Sequence, residues 1–255
     1  MPKSRFTCVR ARTPVCFGTR DSPCGPRGAH SFPGIRPRRN PTALDASDCL
    51  QMLERTAMLS CATIGTDGSP QVRCVSAIHF EADRFFFFTV RGNAFCKQLL
   101  ADPRAQFLAM TGDNEMVRLH ARAVPAADEE QMRWKMRIFD EYPHLGAIFF
   151  PHKLDAGIVF EVSSGFFECI DLGRTPARRT YASLGGATAP VLVYSIDENS
   201  CAGCGACAAV CPIGCIRSGH PFRILETMCL RCGACLEACP RGAVRASLSK
   251  ELVQP

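Results

Sequence analysis

Apolar residues first recur at helical spacing after Leu44, where Asp45 or Ser47 can cap a short helix bearing Cys49, Leu50, Met52 and Leu53. The period then shortens to two. Met58 to Ile64 and Gln71 to Phe80 read as strands joined by the turn-forming run Thr66 to Pro70. Arg84 to Val90 predicts a third strand, and Asn93 caps a helix that runs to Ala101 and stops at Asp102 and Pro103. Ala105 to Thr111 and Met116 to Val124 alternate as a second hairpin around Gly112, Asp113 and Asn114. Ala127 to Glu141 predicts a helix with Met132, Met136 and Phe139 on one face and Trp134 in its packing. Gly157 to Val162 and Gly165 to Asp171 complete about seven short strands, a count that suits a closed or partly closed β-barrel. Turn residues crowd 172–176 and 184–190, so 173–190 reads as a linker between a barrel at 44–172 and a second module at 191–249.

The second module carries a repeat of 28 residues. Cys201, Cys204, Cys207 and Cys211 precede Pro212, and Cys229, Cys232, Cys235 and Cys239 precede Pro240, each run spelling C-x2-C-x2-C-x3-C-P. A tight loop can wrap three thiolates round a 4Fe-4S cubane, while its fourth iron requires a more distant ligand; Gly203 and Gly205 help the first loop to turn. The spacing is that of bacterial two-cluster ferredoxins, in which the fourth cysteine crosses to the other cluster. Cluster one is therefore expected on Cys201, Cys204, Cys207 and Cys239, and cluster two on Cys229, Cys232, Cys235 and Cys211. Zinc sites usually pair two C-x-x-C units over a longer span, without a third close cysteine or the C-P ending. Cys215 aligns with Ala243 and reads as a packed thiol, not a ligand.

Nine of the 17 cysteines fall between Cys201 and Cys239, so the cysteine count points to metal ligation in a reducing, cytoplasmic compartment instead of a secreted disulfide framework. No run approaches the roughly 20 apolar residues that cross a bilayer, and no membrane partner is expected. The net charge of +6 would invite a nucleic-acid reading, but residues 1–43 hold eight Arg and one Lys against Asp21 alone, and the rest is slightly acidic. No nucleic-acid partner is expected. That leading segment also holds seven Pro and four Gly without apolar periodicity, the composition of a disordered basic extension. It has a targeting-peptide reading, and Cys8, Cys16 and Cys24 have a metal reading; their wide spacing favours a dispensable tail.

Three stretches carry a resemblance for the first module: Gly68 to Ser76 (GSPQVRCVS), Phe86 to Asn93 (FFFTVRGN) and Lys97 to Pro103 (KQLLADP). With the order of elements, they resemble the pyridoxamine 5'-phosphate oxidase-like family of FMN-binding split barrels, over about half of the chain. Fusion to a two-cluster ferredoxin also resembles a known family arrangement. The resemblance implies an α+β protein, a split β-barrel followed by a small ferredoxin-like domain. It implies FMN lying between two subunits, with the phosphate on a strand arginine and a basic helix residue, here Arg73 and Lys97. Thr89, Asn93 and Gln98 would supply neutral hydrogen bonds to the phosphate, ribityl chain or ring, and Val75 and Ser76 would flank the isoalloxazine edge. Independently, a helix starting at Asn93 offers free N–H groups and a positive dipole end, with Lys97 one turn along.

Because alternate strand side chains face opposite ways, Phe85 to Phe88 are expected in core and dimer packing, not as a flavin-stacking box. His79 and His120 offer a haem alternative, although isolated strand histidines are usually structural. No Ser-His-Asp order, H-E-x-x-H or phosphate-loop motif supports a hydrolase. The resulting expectation is a cytoplasmic homodimeric oxidoreductase in which two 4Fe-4S clusters exchange electrons with FMN, fed by a ferredoxin-type or other redox partner protein, and reduce a small organic substrate. The alternatives are an electron carrier or redox sensor without its own substrate, and a deazaflavin in place of FMN.

Overall fold

A computed structural model describes residues 44–56, 58–149, 153–188 and 190–249. The basic extension, with Cys8, Cys16 and Cys24, lies outside the described residues. Helix α1 (Ala46–Glu54) opens with a reciprocal cap: Asp48 N–H donates to the Asp45 side chain at 2.9 Å, and Asp45 N–H to the Asp48 side chain at 3.1 Å. Its apolar stripe of Cys49, Leu50, Met52 and Leu53 is buried.

There follow β1 (Leu59–Ile64), β2 (Pro70–Val75), β3 (Ile78–Phe80), β4 (Phe85–Val90), α2 (Ala94–Ala101), β5 (Arg104–Met110), β6 (Glu115–Arg122) and β7 (Val124–Pro125). A 3-10 turn at Asp128–Glu130 leads into α3 (Gln131–Glu141) and α4 (Pro143–Phe149), then β8 (Gly157–Val162), β9 (Gly165–Asp171) and β10 (Arg178–Leu184). The strands form a six-stranded sheet in the order β10-β9-β6-β5-β1-β2 and a four-stranded sheet in the order β3-β4-β8-β7. Every pairing is antiparallel.

The continuous strand expected from Gln71 to Phe80 is instead broken at Ser76 and Ala77, where the chain leaves one sheet for the other. The β-branched run hides the break because both halves are strand. The carbonyl of Ala77 accepts the Phe88 N–H at 3.0 Å, so the corner is itself hydrogen-bonded. The second hairpin likewise divides at Ala123, whose N–H donates to the Pro103 carbonyl at 2.8 Å. A larger correction concerns the expected linker: residues 178–184 are strand β10, paired along its whole length with β9.

Phe85 and Phe87 point into the barrel core with Leu59, Phe107, Leu119, Phe160 and Phe167. Phe86 and Phe88 point the other way and are covered by α3 of the same chain, where Phe86 stacks on Trp134 at 3.8 Å. Each such ring contributes about 2 kcal/mol by burial. The alternation is as expected, and the outward pair packs against α3 of the same chain. On α3 itself Phe139 is buried, whereas Met132 and Met136 are exposed. The helix is rotated because Gln131 spends its amide on the barrel, donating to the carbonyls of Ala126 (2.8 Å) and Val159 (2.9 Å) and accepting from Val159 N–H (2.9 Å).

The second module begins with β11 (Val191–Ile196) and contains α5 (Ala206–Ala209), β12 (Ile216–Arg217), β13 (Arg223–Ile224), α6 (Ala234–Ala238) and β14 (Val244–Ser249). β11 pairs with β14 and β12 with β13. The internal repeat is written in the backbone: left-handed residues occur at Gly203 and Arg231, at Gly205 and Gly233, and at Gly214 and Gly242, each pair one repeat apart. Gly205 and Gly233 start α5 and α6. Arg231 (φ 59°) is the exception in kind, since a side chain at this φ is strained where glycine is not.

Candidate functional site

The two repeats bring their thiols together across the module. Cys207 is influenced electrostatically by Cys239 and Cys201, and Cys235 by Cys229 and Cys232. Cys211 meets the second group through Cys215, whose sulfur is 3.4 Å from Cys211 Sγ and which shares a buried cluster with Cys229 and Cys235. Cys239 thus lies near Cys201 and Cys207, and Cys211 near Cys229, Cys232 and Cys235. Cys204 and Cys232, one repeat apart, are the exposed members.

Each fourth cysteine sits in a backbone nest. Burial pushes the Cys211 thiol up, but N–H groups of Cys215, Ile213 and Gly214 outweigh it and lower its pKa. At Cys239 the same opposition is won by N–H groups of Val244, Arg241, Ala243 and Gly242. Cys215 N–H donates to Cys211 Sγ at 3.3 Å, and its repeat counterpart Ala243 N–H donates to Cys239 Sγ at 3.2 Å. Donors aimed at sulfur favour the thiolate that ligates iron. Among the described residues no three His, Cys, Asp or Glu side chains converge closely enough to hold a single ion; a cubane takes its thiolates at separate corners. The donor set fits iron–sulfur clusters.

The residues expected to bind FMN form two groups at the start of α2. Arg73 Nη1 donates to Thr63 Oγ1, and its Nη2 to Gln98 Oε1 at 2.8 Å, while Thr63 Oγ1 donates to the same Gln98 oxygen at 2.7 Å. The guanidinium lies 4.6 Å from the Phe95 ring centroid. In the second group Asn93 caps α2, its side chain accepting from Cys96 N–H at 2.7 Å and donating to Thr89 Oγ1 at 2.9 Å. Val75 is buried, while Ser76 and Lys97 are exposed. Among the described residues neither Arg73 nor Lys97 forms an ion pair. A half-buried arginine held by neutral acceptors and a nearby exposed lysine leave positive charge for a phosphate to neutralise, so these residues fit that group.

On the opposite face of the same sheet from Thr63 and Arg73 lies an open cleft of about 600 Å³, lined by Ala62, Arg104, Gln106, His120, Arg122 and Phe166. These lining residues were not legible as a set, because they come from four strands whose register depends on the whole sheet. Burial first, and then Arg118, lower the His120 pKa against an opposing effect of Glu168, so the ring is neutral near pH 7. His79 is different: it is buried, 2.8 Å from Glu141 Oε1 and 5.7 Å from the Trp134 ring, a structural histidine away from the cleft.

The module with the thiols touches the barrel at β9 and β10. Arg179 N–H donates to the Thr227 carbonyl at 2.8 Å. Glu168 gathers Arg118 (3.1 Å), Arg179 (3.3 Å) and Arg231 (3.6 Å). Arg231 N–H donates to Cys229 Sγ at 3.3 Å, and its guanidinium lies 5.2 Å from the Tyr181 ring centroid. Tyr181 stacks on Phe166 at 5.5 Å, and Phe166 faces the cleft. A contiguous line of contacts thus runs from Cys229 to the barrel cleft.

Comparison with known proteins agrees with this division. Residues 47–154 match the family model described as pyridoxamine 5'-phosphate oxidase, and residues 200–244 match that of the 4Fe-4S dicluster domain. The chain therefore joins a pyridoxamine 5'-phosphate oxidase-like domain, of the FMN-binding split-barrel fold, to a ferredoxin-type iron–sulfur domain. It is a redox protein. Among solved structures it is similar to a NimC/NimA family protein from Clostridium acetobutylicum (17% identity, 53% of this chain and 90% of that one, TM-score 0.44). It is also similar to a heme binding protein from Mycobacterium smegmatis (16%, 56% and 59%, TM-score 0.45). A third is a pyridoxamine 5'-phosphate oxidase-related, FMN binding protein from Nostoc punctiforme (15%, 52% and 83%, TM-score 0.36). Among the described residues no helix is long and apolar enough to cross a membrane.

Proposed function

We propose that the chain is an iron–sulfur flavoprotein oxidoreductase in which two 4Fe-4S clusters exchange electrons with FMN, and a small organic substrate is reduced in the barrel cleft. Cys201, Cys204, Cys207 and Cys239 would hold one cluster, and Cys229, Cys232, Cys235 and Cys211 the other. Arg73 and Lys97 would take the FMN phosphate, with Thr89, Asn93 and Gln98 as neutral partners and Val75 and Ser76 beside the ring. When bound, the clusters supply single electrons and the flavin couples them to hydride chemistry. The contact line Cys229, Arg231, Tyr181, Phe166 carries this reading, because it joins a cysteine of the second run to a cleft on the same six-stranded sheet whose other face bears the phosphate cradle. Neutral His120 in that cleft can exchange a proton with a substrate through its ring nitrogen.

The protein would act as a cytoplasmic homodimer served by a ferredoxin-type redox partner. Thiol ligands need a reducing compartment. Val72, Leu108 and Met110 leave an exposed apolar face on the six-stranded sheet, which a second copy would cover.

Anaerobically purified protein should hold about eight irons per chain and one FMN, and a low-potential protein donor should reduce the flavin rapidly. Chelating the iron should abolish that route while a small chemical reductant still works. Equal flavin reduction with and without iron would refute electron passage through the clusters.

A further inference from the structure

The two repeats are not equivalent around their sulfurs. Each fourth cysteine accepts a backbone N–H four residues on, from Cys215 in one case and Ala243 in the other. Only the first of these donors carries a second polar atom. Cys215 is 3% exposed, its sulfur lies 3.4 Å from Cys211 Sγ, and it shares a buried cluster with Cys229. Both neighbours belong to the set expected to hold cluster two. A cysteine ligated to iron has lost its proton, so the remaining proton between these sulfurs is that of Cys215, and the bond runs from its S–H to the ligand sulfur. The methyl group of Ala243 can make no such bond.

Hydrogen bonds to ligand sulfur withdraw charge from a cluster and stabilise its reduced form. We infer that Cys215 is a tuning residue, which raises the reduction potential of the cluster on Cys229, Cys232, Cys235 and Cys211 above that of the cluster on Cys201, Cys204, Cys207 and Cys239. The favoured resting place for an electron is then the cluster whose loop meets β9 and β10 through Arg179 and Arg231. This rests on the two-cluster reading proposed above.

The test is a potentiometric titration of the anaerobic full-length protein followed by electron paramagnetic resonance, with iron counted for each variant. Cys215→Ala should shift one of two one-electron waves to lower potential and leave the other in place. Cys215→Ser, which keeps a donor, should restore most of the shift, and Ala243→Cys should raise the second wave instead. A Cys215→Ala protein with both waves unmoved, or both moved alike, overturns the inference while leaving two clusters intact. Loss of half the iron in that variant also overturns it, by making Cys215 a ligand. A wild-type protein with four irons and one wave would refute the underlying two-cluster reading.

Discussion

Arg231 rests its guanidinium 5.2 Å from the ring centroid of Tyr181, from a left-handed backbone position that the first repeat fills with Gly203. The strained residue is the one that reaches the barrel. Its side chain is 12% exposed and shares Glu168 with Arg118 and Arg179.

Replacing it should show what the strain supports. Arg231→Gly removes a partly buried ion pair, a loss of about 3 kcal/mol, and relieves a backbone cost of about 1 kcal/mol. The net expectation is about 2 kcal/mol less stability, read by anaerobic denaturation, with iron and flavin content unchanged. Flavin reduction by a protein donor should slow, while reduction by a small chemical donor should not. A variant with wild-type stability and transfer rate would show that the contact is incidental.

Arg73→Ala combined with Lys97→Ala should weaken FMN retention by a hundredfold or so, since two charge-assisted contacts to a dianion are each lost. Iron content should stay the same. Wild-type flavin content after gel filtration would place the phosphate elsewhere.

Crossed ligation makes opposite predictions for two alanine variants. Cys239→Ala should damage the cluster served by Cys201, Cys204 and Cys207, and Cys211→Ala the one served by Cys229, Cys232 and Cys235. Electron paramagnetic resonance of the reduced variants, referenced to the wave that Cys215→Ala shifts, separates the two. Damage confined to each residue's own run would reverse the assignment.

His120 should titrate below the ordinary histidine value of about 6.5, because burial and Arg118 oppose its charge and only Glu168 favours it. Glu168→Gln should lower the midpoint further. The unfolded chain binds the extra proton, so this group's contribution to stability is present above about 6.5 and lost as pH falls through the folded value. Ring-proton nuclear magnetic resonance, with His120→Gln for assignment, measures it; a midpoint at or above the ordinary value would contradict the site's electrostatics.

Local chemistry made much of this legible. The Asp45 and Asn93 caps, the strands Gly157–Val162 and Gly165–Asp171, and the eight spaced cysteines depend on near neighbours in sequence. What escaped depends on distant ones. β10 was hidden between the turn residues of 172–176 and 184–190, and it becomes a strand because β9 offers it a partner over seven residues. Met132 and Met136 looked like the packed face of α3 until Gln131 and Trp134, tied to Val159 and Phe86, fixed the helix rotation. The cleft and the Glu168 cluster are products of cross-strand register, in which Arg118 faces Glu168 and Glu168 faces Tyr181. Cys215 was legible as a residue apart from its repeat, but its sulfur contacts needed three dimensions.

Strand β10 is one border of the six-stranded sheet, the other being β2. An open border offers unpaired N–H and C=O groups to any passing chain. Here the Thr227 carbonyl takes the Arg179 N–H, so the iron–sulfur domain doubles as a guard rail on one rim of the barrel. Cutting the chain between the domains would do more than remove cofactor: it would bare that rim beside Tyr181 and Phe166. The isolated barrel should therefore self-associate more readily than the intact protein, and light scattering of the two at matched concentration would reveal it.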